Sequence, residues 1–274
     1  MSPLSAAEIL SETSPELAQG GALLLLAGLA LTPLCVSFAR GFAPEASVFF
    51  ARWRFLHAAF VGLCLAVLMR VVPAGLASWL EPEGVPEILR QLASSALALG
   101  GASLAAVLIA ARLDPDGVRS LGLRGPGSLR AALVGLGCYV LLCPGILGAA
   151  LLWPWLFEQL GGRFEPQEIA VAIGALDGTS RVLAGVFAIL VLPCFEELIF
   201  RGFLQPLFVQ NLGDRGGVFV TSLVFALLHG DSALLPILAL SLLLGSLKLC
   251  TQRLSACIAV HALHNAVVFA MLGA

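Results

Sequence analysis

Two adjacent carboxylates, followed four residues later by an arginine, are the part of this sequence best equipped for chemistry. They lie in Leu192-Pro193-Cys194-Phe195-Glu196-Glu197-Leu198-Ile199-Phe200-Arg201-Gly202, at the end of a long apolar run. On a helix, residues four apart share a face, and Glu ahead of Arg is the favourable order, so Glu197 and Arg201 are expected to pair. Glu196 points about 100° away and is left without that partner. Neighbouring carboxylates in a low-dielectric site resist ionising together, and an arginine held on one of them separates their roles. Glu197 then stays charged and structural, and Glu196 is free to take a proton from water. The plain alternative is an ion pair that only fixes helix packing. Pro193 removes a backbone hydrogen bond three residues before Glu196, which predicts a kinked or widened helix beside the carboxylates.

Three of the four histidines follow this segment: His229 in Phe225-Ala226-Leu227-Leu228-His229, and His261 and His264 in His261-Ala262-Leu263-His264-Asn265. A lone histidine in an apolar window is ordinarily a packing or interfacial residue, but three of them after a double glutamate point to a joint site. His261 and Asn265 are four apart and project from one helical face. His264 lies about 60° from His261 and could take its place.

Depth along the helices can be read from the turn Leu212-Gly213-Asp214-Arg215-Gly216-Gly217. If the segments on either side run antiparallel, Glu196 lies roughly 24 Å back from the turn and His229 roughly 19 Å forward of it, so they share a level. His261 and Asn265 lie roughly 12–18 Å beyond Arg253 and reach the same depth. Three helices can thus bring a carboxylate, an imidazole and an imidazole–amide pair to one buried point.

The elements that must position these groups are spanning helices. Of the 274 residues, 59% are hydrophobic and only 12% charged, with mean hydropathy +0.99, a composition no water-soluble domain of this length has. A spanning helix needs about 20 apolar residues. Eight such windows follow one another, at 20–39, 55–73, 92–111, 130–152, 181–205, 216–231, 233–248 and 254–273, the sixth and seventh being short. The expected fold is an all-α polytopic transmembrane bundle of about eight spans, with N-terminal helices and loops over 1–180 and a catalytic core over 181–274. Residues 1–19 carry Glu8, Glu12 and Glu16 and no Lys or Arg, so the first window reads as a retained span rather than a signal peptide. Clusters such as Ala98-Leu99-Gly100-Gly101-Ala102-Ser103 and Gly135-Leu136-Gly137 allow close helix approach. The seven cysteines fall mostly inside spans, without metal or disulfide spacing, and read as packing residues.

Lys and Arg accumulate in cytoplasmic loops. One set of alternate connections holds Arg40, Arg52, Arg54, Arg112, Arg119, Arg124, Arg130, Arg215, Lys248 and Arg253, and the other only Arg70, Arg90, Arg163 and Arg181. Both termini are therefore expected outside the cytoplasm. His57 and Arg70 lie near the ends of their span and read as interfacial or snorkelling. Trp153–Glu165 mixes aromatic with charged residues, as an interfacial gate or an aromatic anchor would. The net charge of −2 and the lack of a basic tract give no sign of a nucleic-acid partner.

Glu-Glu-x-x-Phe-Arg-Gly, then Phe-x-x-x-His, then His-x-x-x-Asn in successive hydrophobic segments resembles the CAAX protease and bacteriocin-processing (CPBP, or Abi) family of intramembrane endopeptidases, over about residues 193–265. The resemblance implies that Glu196 activates water with help from His229, that Glu197 and Arg201 are the supporting pair, and that His261 and Asn265 hold the oxyanion of the tetrahedral intermediate. It implies a membrane-anchored protein or peptide as substrate: a prenylated C-terminal tail, a bacteriocin leader, or a C-terminal membrane anchor. The last two suit an integral protein of a bacterial cytoplasmic membrane.

The family is described both as metalloproteases and as metal-free glutamate enzymes. His-Glu-x-x-His, which would set two zinc ligands beside a base, is missing here. Glu196, His229 and His261 could still supply three ligands to zinc, but the favoured expectation is that no cofactor is required. Two other classes compete with the enzyme. A proton-coupled transporter would use intramembrane Glu and His as a relay spread along a path to both faces, and a non-catalytic scaffold would tolerate loss of Glu196.

Overall fold

The computed structural model describes residues 14–42, 51–80, 84–123, 127–165, 168–176 and 178–272. Glu8, Glu12 and Arg124 lie outside the described residues. Among those described there is no strand, and the chain is a polytopic bundle of helices: α1 (Pro15–Phe42), α2 (Phe55–Leu80), α3 (Glu87–Leu113), α4 (Ser128–Gln159) and the short α5 (Glu168–Gly174), then the 50-residue stretch Gly178–Leu227, and finally Leu234–Thr251 and Leu254–Met271. Seven of these helices are long and apolar enough to cross a membrane.

The count differs from eight because the fifth and sixth windows are continuous in hydrogen bonding. They are nonetheless two arms. Gly213 has φ 71° and ψ 171°, a conformation open to glycine and costly for other residues, and the chain folds back there. Arg201 stacks on Phe225, and a Cβ on Gly217 would stand within 2.5 Å of the Val209 Cα, so the arms are antiparallel. We name them α6 (178–212) and α7 (214–227), and the last two helices α8 (Leu234–Thr251) and α9 (Leu254–Met271). The α7 arm rises only about 20 Å, short of a full hydrocarbon core.

Small residues set the closest helix contact. A Cβ on Gly28 of α1 would lie 2.5 Å from the Gly145 Cα of α4, and one on Gly21 2.8 Å from Gly148 O, so these helices touch backbone to backbone. By contrast α2 presents Leu56, Leu63 and Val71 outward, as a lipid-facing helix does. The Ala98–Ser103 cluster of α3 packs on α6: a Cβ on Gly100 would meet the Phe195 ring at 3.3 Å, and Ser103 Oγ donates to Phe195 O at 3.4 Å.

The connections rich in Arg and Lys meet at one end of the bundle. Gln210 Nε2 donates to Ala51 O at 3.2 Å, Leu254 N to Gly122 O at 3.0 Å and Ser255 Oγ to Ser128 O at 2.7 Å. His57 takes the Arg54 backbone N–H on its Nδ1 at 3.0 Å, capping the start of α2, and Arg70 is exposed. All seven cysteines are free thiols.

Candidate active site

Two wide turns bracket the paired glutamates. Within α6, Val186–Val191 and Leu198–Leu204 are wound as π-helix, with the α-helical Leu192–Glu197 between them. Each wide turn ends two residues before a proline, Pro193 and Pro206. A proline ring clashes with the carbonyl four residues back and has no N–H to offer, and widening the helix relieves both problems. Leu192 N–H accordingly donates five residues back to Phe187 O, and Gln205 N–H to Phe200 O. The widening expected at Pro193 is present. That at Pro206 escaped the sequence reading, although the same proline signal was there. Trp53 Nε1 donates to Phe203 O at 2.9 Å and stacks on the Phe203 ring at 4.9 Å, pinning the second wide turn.

Between these turns the two glutamates have different surroundings. Glu197 is wholly buried. Its Oε1 accepts from Arg201 Nη1 at 3.1 Å and from His261 Nδ1 at 2.8 Å. Arg201, also fully buried, donates from Nη2 to Ser241 Oγ of α8 at 2.7 Å and lies 4.3 Å over the Phe225 ring of α7. Four helices thus close around one ion pair. Glu196 retains 17% exposure, and its Oε2 is 3.7 Å from His261 Nε2. Ser241 was missed in the sequence, where one hydroxyl in a leucine run reads as packing.

His229 joins the site through Phe225. Its Nδ1 is 2.7 Å from Phe225 O and its ring centroid 4.4 Å from that of Phe225. A carbonyl only accepts, so Nδ1 carries the hydrogen and the lone pair of the neutral ring is on Nε2. The hairpin register that pairs Arg201 with Phe225, carried one turn on, sets His229 level with the glutamates. The loop after His229 is fixed by Trp153, which is buried and donates from Nε1 to Asp231 O at 2.7 Å. Trp153 is therefore packed against the loop that follows His229.

His261 and His264 have different neighbours. His264 Nδ1 is 3.1 Å from the Tyr139 hydroxyl of α4. Asn265 donates from Nδ2 to Ala188 O, in the first wide turn, at 2.8 Å. Beside this turn an apolar groove of about 400 Å³ opens to the bundle surface, lined by Arg181, Val182, Val186, Ile189, Leu190 and Phe269.

Zinc sites need N, O or S ligands at about 2.0–2.3 Å. Among the described residues no three His, Cys, Asp or Glu side chains converge at ligand spacing; with Nδ1 of His261 on Glu197, its Nε2, 3.7 Å from Glu196 Oε2, is the nitrogen that could meet a metal.

Residues 178–267 match the family model described as type II CAAX prenyl endopeptidase Rce1-like. This segment, about a third of the chain, is similar to that family. The assignment agrees with the CPBP resemblance, and the match takes in all six of Glu196, Glu197, Arg201, His229, His261 and Asn265. It supports intramembrane endopeptidase chemistry in general for the Rce1-like segment, carried in a multi-pass membrane protein. No curated protein and no solved structure matches the chain.

Proposed function

We propose that this protein is an intramembrane endopeptidase in which Glu196 activates the hydrolytic water. The observation that carries the proposal is the unequal placement of the two glutamates: Glu197 is locked in a buried pair with Arg201, while Glu196 next to it keeps an accessible carboxylate facing His261. Water gives its proton to Glu196 as its oxygen adds to the scissile carbonyl carbon. The oxyanion formed takes hydrogen bonds from Asn265 and from the Nε2–H of His261 as an imidazolium, whose Nδ1–H is held by Glu197, and His229 assists the proton transfers. The proton then passes to the leaving nitrogen, the C–N bond breaks, and a carboxylate and an amine are released. Glu197 holds the imidazole of His261 through Nδ1, much as a buried carboxylate orients a catalytic histidine elsewhere.

No metal enters this scheme, and residues 181–274 supply every reacting group, while 1–180 serve as the framework around them. The substrate is a membrane-anchored protein or peptide, a prenylated C-terminal tail being the class named by the matching family. The basic end of the bundle faces the cytoplasm of a bacterial cell.

The test is cleavage of membrane-anchored peptides, prenylated and unprenylated, by protein purified into liposomes, with Glu196→Gln and His229→Ala beside wild type and with and without a strong chelator. Chelator-resistant cleavage lost in both variants is expected. Cleavage abolished by the chelator and restored by zinc would overturn the metal-free scheme.

A further inference from the structure

Neither the α nor the π donor of its own helix reaches the carbonyl of Ala188. In α winding that donor is the Leu192 N–H, which instead reaches Phe187 O. In π winding it is residue 193, and Pro193 has no N–H. A bare carbonyl inside a membrane bundle is costly, and the Asn265 amide satisfies this one at 2.8 Å. An Asn side chain has two N–H hydrogens, so one remains. One turn earlier on the same face of α9, His261 points Nε2 at Glu196 from 3.7 Å.

We propose that Pro193 and the Ala188 carbonyl are an aiming device for Asn265. The proline withholds the competing N–H, the orphaned carbonyl fixes one hydrogen of the amide, and the second is thereby held toward the oxyanion that forms beside Glu196. Pro193 is then a positioning residue, acting through Asn265. The inference rests on the endopeptidase reading. It accounts for a polar residue of α9 and a proline of α6 by one relationship, and it gives the wide turn at Val186–Val191 a task in catalysis.

The experiment is a double-mutant cycle on peptide cleavage with Pro193→Ala, Asn265→Ala and the two combined, measuring kcat and KM separately. Asn265→Ala is expected to lower kcat about 100-fold, the scale of one lost oxyanion donor. Pro193→Ala returns an N–H to the helix, frees the amide, and lowers kcat in the same direction, with KM unmoved in both. The combined variant is no slower than Asn265→Ala alone. Effects that multiply, or wild-type kcat in Pro193→Ala, would overturn the proposal. Glu196→Gln run alongside separates the two levels. If it is as active as wild type, the endopeptidase reading fails. If it is inactive while positions 193 and 265 act independently, only the aiming role fails.

Should Pro193→Ala not fold, nuclear magnetic resonance decides. The chain has two Ala–Ile bonds, 172–173 and 188–189, so carbonyl-13C alanine with 15N isoleucine isolates the Ala188 carbonyl with Ala172 as internal reference. Asn265→Ala is expected to shift the Ala188 resonance and leave that of Ala172 in place. An unmoved Ala188 resonance would overturn the proposal.

Discussion

Arg201 and Glu197 form an ion pair with no solvent exposure on either side chain, Nη1 to Oε1 3.1 Å. Removing one member of such a pair strands the other as a buried charge, which typically costs 3–5 kcal/mol, whereas replacing both with apolar groups is often near neutral. Arg201→Met is therefore expected to destabilise the protein by about 3–5 kcal/mol, and Arg201→Met with Glu197→Leu to regain part of that loss. Denaturant unfolding in detergent micelles reads both. Equal stability of Arg201→Met and wild type would contradict the structural role given to the pair.

Ser241 is the partner of Arg201 on α8, with Oγ 2.7 Å from Nη2. Hydrogen bonds to charged groups contribute about 1.5–3 kcal/mol, so Ser241→Ala should lower stability by about that amount. In an Arg201→Met background the same change should have almost no effect, because the two side chains share one interaction. The same unfolding measurement checks this, and additive losses would show that Ser241 acts elsewhere.

Gly202 closes the Glu-Glu-x-x-Phe-Arg-Gly motif for a steric reason. A Cβ there would lie 3.2 Å from Leu121 O and 3.3 Å from Leu254 Cδ1, while one on Gly20 of α1 would meet nothing within 4 Å. Gly202→Val is expected to cost about 1–3 kcal/mol through overpacking, and Gly20→Ala to be neutral or slightly stabilising. Comparison of the two unfolding midpoints tests the contrast.

The histidines separate in the same way. His261 touches Glu197 and faces Glu196, whereas His264 is bonded to Tyr139. His261→Ala should lower kcat for peptide cleavage by roughly 10²–10³-fold, the scale of a lost oxyanion donor, and His264→Ala should leave cleavage within a few-fold of wild type. The reverse ranking would place the wrong histidine in the site.

These relationships were unequally visible in the sequence. The Glu197–Arg201 pair followed from spacing alone, since a four-residue step on a helix leaves little choice. The shared depth of Glu196 and His229 also followed, because the glycine-rich turn near Gly213 fixes where the hairpin reverses and the rise per residue does the rest. Spacing set His261 on one face with Asn265 but left His264 able to take its place, because the two are about 60° apart on one helix and the Tyr139 hydroxyl that meets His264 comes from a distant span. Ser241 carries no local signal: its role exists only once Arg201 is brought beside it. The wide turns were half legible. Pro193 announced the first, but the partner of the freed Ala188 carbonyl is a residue 77 positions on, which no helical periodicity reveals.

The unequal roles of the two glutamates are tested most directly by Glu196→Gln, measured for cleavage and for unfolding on the same preparation. Glu196 is partly exposed and its contact with His261 Nε2 is long, at 3.7 Å, so the variant should keep close to the wild-type unfolding midpoint while its kcat falls by roughly 10²–10⁴-fold, the range of a lost general base. A Glu196→Gln protein that folds and still cleaves at the wild-type rate would contradict the account.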